Sequence, residues 1–98
     1  MKLSSKQRKF LRSKAHHLKP VLIIGKMSVN EAVLKSVDEA LKSHELIKLK
    51  FNSHKESKSD IVYGINRKIG GQCVGIIGNT AIIFRQNSDP EDQIYKLS

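Results

Sequence analysis

The residues of this 98-residue chain best equipped for chemistry are its cations, and they are crowded toward one end. Lys2, Lys6, Arg8, Lys9, Arg12, Lys14, Lys19 and Lys26 all precede the first acid, Glu31. Over the whole chain 18 Lys+Arg face 9 Asp+Glu, a formal charge of +9. The other end runs the opposite way, with Asp89, Glu91 and Asp92 against Lys96. A one-sided excess of ammonium and guanidinium groups is the chemistry of holding a polyanion by charge and hydrogen bonds. The plainer alternative is a basic surface that serves solubility.

Catalytic and metal-binding patterns are sparse. His16, His17, His44 and His54 have neither the HExxH spacing nor the Cys/His spacing of a metal site. Adjacent His16 and His17, at the end of a helix, suit the helix dipole or a phosphate better than joint ligation. The single cysteine, Cys73, rules out an internal disulfide framework and a Cys-rich zinc site. It is expected to act as a small buried hydrophobe at the start of a strand. No GxSxG, Walker A or GxGxxG sequence occurs. Gly75-Ile76-Ile77-Gly78 fits GxxG formally, but its apolar middle residues are expected in a strand and in the core. Ser4 and Ser5 read as helix caps. No enzymatic activity and no cofactor are expected.

Nucleic-acid modules can be sorted by their aromatics. Phe10, Phe51, Tyr63, Phe84 and Tyr95 are the aromatic residues, and there is no Trp. The RNP aromatics of an RRM are absent, as is the stacking platform of a cold-shock or OB barrel. What remains is phosphate gripping by basic side chains and by N–H groups at a helix start. Gly25-Lys26-Met27-Ser28 fits that mode, since several N–H groups there would lack intrahelical partners. An ordinary strand-to-helix loop with a cap at Ser28 fits the local sequence equally well.

The elements that would position these groups follow from periodicity. Residues 4–15 form a helix pattern with Leu3, Phe10, Leu11, Ala15 and Leu18 on one face and Lys6, Arg8, Lys9 and Arg12 on the other. Pro20 ends that stretch. Val21–Ile24 is a continuous apolar run that suits an interior strand. Ser28 and Glu31 have capping-box spacing. The helix they open, about 29–43, carries Val29, Ala32, Val33, Val37, Ala40 and Leu41 as its apolar stripe. Leu46–Phe51 alternates, with Ile47, Leu49 and Phe51 opposite Lys48 and Lys50. Ser53 and Glu56 suggest a further capping box, before a helix with Ile61, Val62, Ile65 and Ile69 inside and Gly70-Gly71 as its stop. Gln72–Ile77 and Thr80–Arg85 are strands joined at Gly78-Asn79, a two-residue hairpin signal. The order α-β-α-β-α-β-β predicts an α/β (α+β, two-layer) fold: a mixed four-stranded sheet with three helices. Residues 1–86 form the expected single domain, and 87–98 a polar tail, partly draped on the core.

Composition sets the outer bounds. Apolar residues at 39% and charged residues at 28% are globular values. No apolar run approaches the ~20 residues of a membrane span. The basic N-terminus lacks the apolar stretch of a secretory signal. A cytoplasmic protein with no membrane contact, acting as a monomer, is expected.

Several separated segments carry a family resemblance. They are His16-x-Leu18-Lys19-Pro20-Val21, Ile24-Gly25, His44-Glu45-Leu46-Ile47-Lys48, Val74-x-Ile76-Ile77-Gly78 and Phe84-Arg85, in order and with unbroken spacing. Together they resemble the CRM domain (chloroplast RNA splicing and ribosome maturation), in its single-domain bacterial, YhbY-like form. The resemblance implies a fold like the C-terminal domain of translation initiation factor three. It implies RNA as partner: structured ribosomal RNA in precursors of the large subunit. The family's GxxG loop after the first strand is matched at Gly25, but Ser28 stands where its second glycine would be. The RNA-binding candidates are therefore Lys6, Arg8, Lys9, Arg12, Lys19, Gly25, Lys26, Met27, Ser28, Lys48, Lys50 and Arg85. A ribosome assembly factor is the expected function. A protein-interaction module contacting ribosomal proteins or another assembly factor is the alternative, with a DNA-associated basic protein behind it.

Overall fold

Ser4 opens the first helix, α1 (Ser5–Ala15), with a reciprocal cap. Its side chain accepts from the Gln7 N–H, and the Gln7 side chain accepts from the Ser4 N–H. Ser5 is already helical and is not a cap. The structure, a computed structural model, describes residues 2–26 and 29–97. After α1 come β1 (Leu22–Ile24), α2 (Glu31–His44), β2 (Leu46–Phe51), a 3-10 turn at Lys55–Ser57 and α3 (Lys58–Ile69). The hairpin of β3 (Gln72–Ile77) and β4 (Thr80–Phe84) follows, then a 3-10 turn at Pro90–Asp92.

The sheet order is β1-β2-β4-β3, with β1 parallel to β2 and the other pairs antiparallel. The α/β class, the element order and the mixed sheet match expectation. The layering is finer than two. Ile47, Leu49, Phe51, Ala81 and Ile83 pack with Val37, Leu41, Val62 and Ile65 of α2 and α3. On the opposite face, Leu46, Val74, Ile82 and Phe84 pack under Leu11 and Ala15 of α1. The strand alternation divides the side chains between these two layers.

Other local expectations change. Val21–Ile24 is not interior: β1 is an edge strand of three residues, with Ile24 buried but Val21 and Ile23 exposed. A short apolar run reads the same at an edge as in the middle of a sheet. Helix α2 is capped by Asn30, whose side chain accepts from the Val33 N–H at 2.9 Å, with Glu31 as its first residue. Ser28 lies outside the described residues. Val37 and Leu41 are buried, Val33 is half-buried, and Ala32 faces solvent while Leu34 packs on the core. Ser53 and Glu56 form no box; His54 takes a left-handed conformation, and the 3-10 turn leads into α3. Gly70 ends α3 as expected, at φ +75. Phe10 is exposed, with the Lys14 ammonium over its ring. Cys73 is only half-buried, and burial raises its thiol pKa, which favours the unreactive protonated form.

One ion pair ties the strand end to the helices. Arg85 donates to the Asp38 carboxylate at 2.6 Å, to the Ile69 carbonyl at 2.8 Å and to the Asp38 carbonyl at 3.0 Å. The Arg85 hydrogen bond, then that of Lys42, holds the Asp38 carboxyl below the usual carboxylate range. A carboxyl with a lowered folded pKa adds stability that is complete above its ordinary value. That stability is lost as pH falls through the folded value. Asp38→Asn should therefore reduce the drop in urea midpoint between neutral pH and pH about 3. An acid-induced drop equal to that of the wild type would refute the assignment.

Candidate nucleic-acid interface

Helix α1 covers only part of its face of the sheet. It lies over Val74, Ile82, Phe84 and Leu46 and ends at Ala15. The row Ile23, Lys50, Thr80, Ile77 runs across all four strands beyond it, set by the registers Ile23↔Lys50, Lys50↔Thr80 and Ile77↔Thr80. Ile23 and Ile77 are 56% and 64% exposed, so this row is bare. Neither α1 nor any of the four strands contains an Asp or Glu. The elements of this face thus combine uncovered apolar surface with basic residues and no acid of their own.

Arg12 and Lys48 meet beside this row. They line a recess of about 320 Å³ with His16, Pro20, Ile77 and Thr80, above Ile82. Arg12 lies across β3. Its Nη1 donates to the Val74 carbonyl at 3.2 Å, and its Cδ is 3.1 Å from where a Cβ on Gly75 would stand. Glycine at 75 gives the arginine stem its seat. The Lys48 ammonium donates to the Leu18 carbonyl at 3.0 Å and so stays on the α1 side. Lys50 follows it, two residues along β2 and exposed.

The remaining candidates are dispersed. Gly25 and Lys26 follow β1 at the sheet end, where the Lys26 carbonyl lies 3.0 Å from His54 Nε2. Met27 and Ser28 lie outside the described residues. Lys9 is exposed on α1, and Arg8 is half-buried. Lys6 shares a separate recess with Phe10, Lys96 and Leu97. Lys19 borders another, with Val21, His44 and Tyr95. Arg85 is on the α2/α3 side, with its guanidinium committed to Asp38 and Ile69. Among the described residues, the ammonium groups of Lys9, Lys26 and Lys50 have no hydrogen-bond or ion-pair partner. They are available to a ligand. No group of three or more His, Cys, Asp or Glu that could hold a metal occurs among the described residues, and no helix there is long and apolar enough to cross a membrane.

Residues 3–85 match the CRS1 / YhbY (CRM) domain. The chain belongs to that family. Among its relatives, the Bacillus subtilis protein named "Probable RNA-binding protein YqeI" is 39% identical over 88 residues, covering 89% of this chain and 92% of that one. A Haemophilus influenzae protein named "RNA-binding protein" is 37% identical over 93 residues, or 94% of each chain. The solution structure of the hypothetical protein SAV1595 from Staphylococcus aureus superposes with a TM-score of 0.78 at 29% identity, covering 94% of this chain and 97% of that one.

Within this CRM domain the structure adds site features that the sequence pattern did not single out. Ile77 was expected in the core, as part of Gly75-Ile76-Ile77-Gly78, but it stands on the open row. It is the last residue of β3, beyond the reach of α1, so the sheet presents it to solvent. Ile23 is exposed for the same reason. His16, which the sequence suits to the helix dipole or a phosphate, is the C-cap of α1 and lines the recess, while the His17 ring stands edge-on to it at 5.2 Å and 81°. A signal for the apolar pair existed in hindsight: both isoleucines alternate onto the same face as Lys50.

Proposed function

We propose that this CRM protein binds structured RNA through the acid-free face of α1 and the sheet, and acts as an assembly factor on precursors of the large ribosomal subunit. The observation that carries RNA binding is the absence of any acid from α1 and all four strands, on a face that gathers Arg12, Lys48 and Lys50. The names of the relatives support RNA as the partner. Lys9 on α1 and Lys26 after β1 extend the positive surface. Contacts of this kind hold phosphates and read shape more than sequence. The protein acts by binding, in the cytoplasm and as a monomer.

Each lysine that contacts a phosphate releases counterions, so its loss lowers the salt dependence of binding. A variant with Lys9→Ala, Lys26→Ala and Lys50→Ala should bind structured RNA more weakly. Its log–log salt slope should be smaller by about 2, at roughly 0.7 per lost contact. Unchanged affinity and slope in a salt titration would refute the interface. The ribosomal assignment has a separate test. Crosslinking in cells followed by sequencing should recover large-subunit precursor RNA, and recovery of other RNA alone would remove that assignment while leaving RNA binding.

A further inference from the structure

We propose that the recess between the end of α1 and the bare sheet row accepts one unpaired nucleotide, with its base against Ile77 and Arg12 and its phosphates toward Lys48 and Lys50. The proposal rests on the RNA-binding reading and adds the chemical form of RNA that the site selects. Three observations carry it.

The first is shape. A recess of about 320 Å³ lies at the small end of ligand pockets, roughly 300–1,000 Å³. It can receive a single protruding group, whereas a duplex would contact only the surrounding ridge. The second is the chemistry of the walls. A base removed from its stack needs flat or apolar surface on its faces and hydrogen-bonding groups at its edge. Ile77, 64% exposed, supplies apolar lining. Arg12 also lines it, with its guanidinium held by the Val74 carbonyl and its stem seated over Gly75, and a guanidinium so held offers a planar group for stacking. Thr80, also in the lining, carries a hydroxyl that can donate and accept. The third is charge. The ionisable groups of the recess are Arg12, His16 and Lys48, with no carboxylate among them. The Lys48 ammonium is fixed by Leu18, and Lys50 continues the line of charge along β2. An acid-free apolar slot complements a nucleotide, which joins an uncharged base to an anion. An apolar peptide would leave these cations without counter-charge.

The test uses two RNA hairpins of equal length and phosphate number, one fully paired and one with a single bulged uridine. Their binding to the intact protein is measured by fluorescence anisotropy. The wild type should prefer the bulged hairpin by about tenfold, within the range of base stacking on a protein side chain. Ile77→Ser, at an exposed position, should keep the thermal midpoint and bind the two hairpins with equal affinity. Arg12→Lys keeps the charge and removes the plane, and it too should lose the preference for the bulged hairpin. The Ile77 methyl signals in NMR should shift with the bulged hairpin alone. Equal affinity of the wild type for both hairpins would overturn the nucleotide site while leaving RNA binding intact. So would a preference that survives both substitutions. Failure to bind either hairpin would remove the underlying RNA reading as well. Ile77 shifts on adding an amphipathic leucine-rich peptide but not RNA would give the recess to a protein partner and overturn the proposal.

Discussion

Replacing Glu45 with alanine should lower stability by about 2–4 kcal/mol and release the C-terminal segment. Glu45 is the one buried charged residue among those described, at 1% exposure. It follows α2 in a left-handed conformation, at φ 61, with its N–H donating to the Leu41 carbonyl. Its carboxylate accepts from the Asn87 N–H, from the Ile94 N–H at 2.7 Å and from the Tyr95 N–H at 3.0 Å. Three backbone donors from the last part of the chain therefore converge on one side chain from the α2–β2 corner. Tyr95 then stacks edge-on to Phe84, with 6.4 Å between ring centroids, and Leu97 packs on the same cluster. Hydrogen bonds to an ionised acceptor are the stronger kind, and their loss strands buried donors unless the segment frays into water. Fraying limits the cost and predicts its dependence on the tail. In a chain ended at Gln86, Glu45→Ala should cost less than about 1 kcal/mol, since the donors are gone. Urea unfolding of the four proteins measures the coupling. An equal cost in both lengths would show that Glu45 does not hold the tail.

Leu41→Ala should be of similar size, about 2–5 kcal/mol. Leu41 is 1% exposed, in the last turn of α2, among Val37, Ile47, Leu49 and Ile83. Removing its isobutyl group loses transfer free energy and leaves a cavity that the sheet residues behind it cannot fill. Val33→Ala, on the same helix, should cost about 1 kcal/mol or less, since Val33 is half-buried and its site opens to solvent. Thermal or urea unfolding separates the two. A Leu41 variant no less stable than the Val33 variant would contradict the packing of α2 on the sheet.

The elements and most of their inner faces were legible in the sequence because they rest on local rules. Alternation from Leu46 to Phe51 placed Ile47, Leu49 and Phe51 inward and Lys48 and Lys50 on the other side, and the strand does this. Gly70 and Gly78 have positive φ, at +75 and +58, where helix stop and hairpin required them. Caps were less secure. Asn30 outcompeted the Ser28 and Glu31 spacing as the start of α2, because an Asx side chain two residues later can cap as well. Ser53 and Glu56 failed as a box because the chain first makes a 3-10 turn.

The basic, acid-free character of α1 and the strands, and the side of β2 that bears its lysines, were determined by the sequence alone. The site itself was decided by tertiary structure. Whether Ile23 and Ile77 are core or surface depends on where α1 stops across the sheet, and no pattern within β1 or β3 records that. The seat of Arg12 on Gly75 joins positions 62 residues or more apart, as its hydrogen bond to Val74 does. Arg85 and Glu45 look alike in sequence, as charges flanking apolar strands. One became an ion-pair anchor between helices and strand, and the other a buried acceptor for the tail. Periodicity acts over neighbours and can choose a face. What that face meets is set by the packing of distant segments, which only the closed fold supplies.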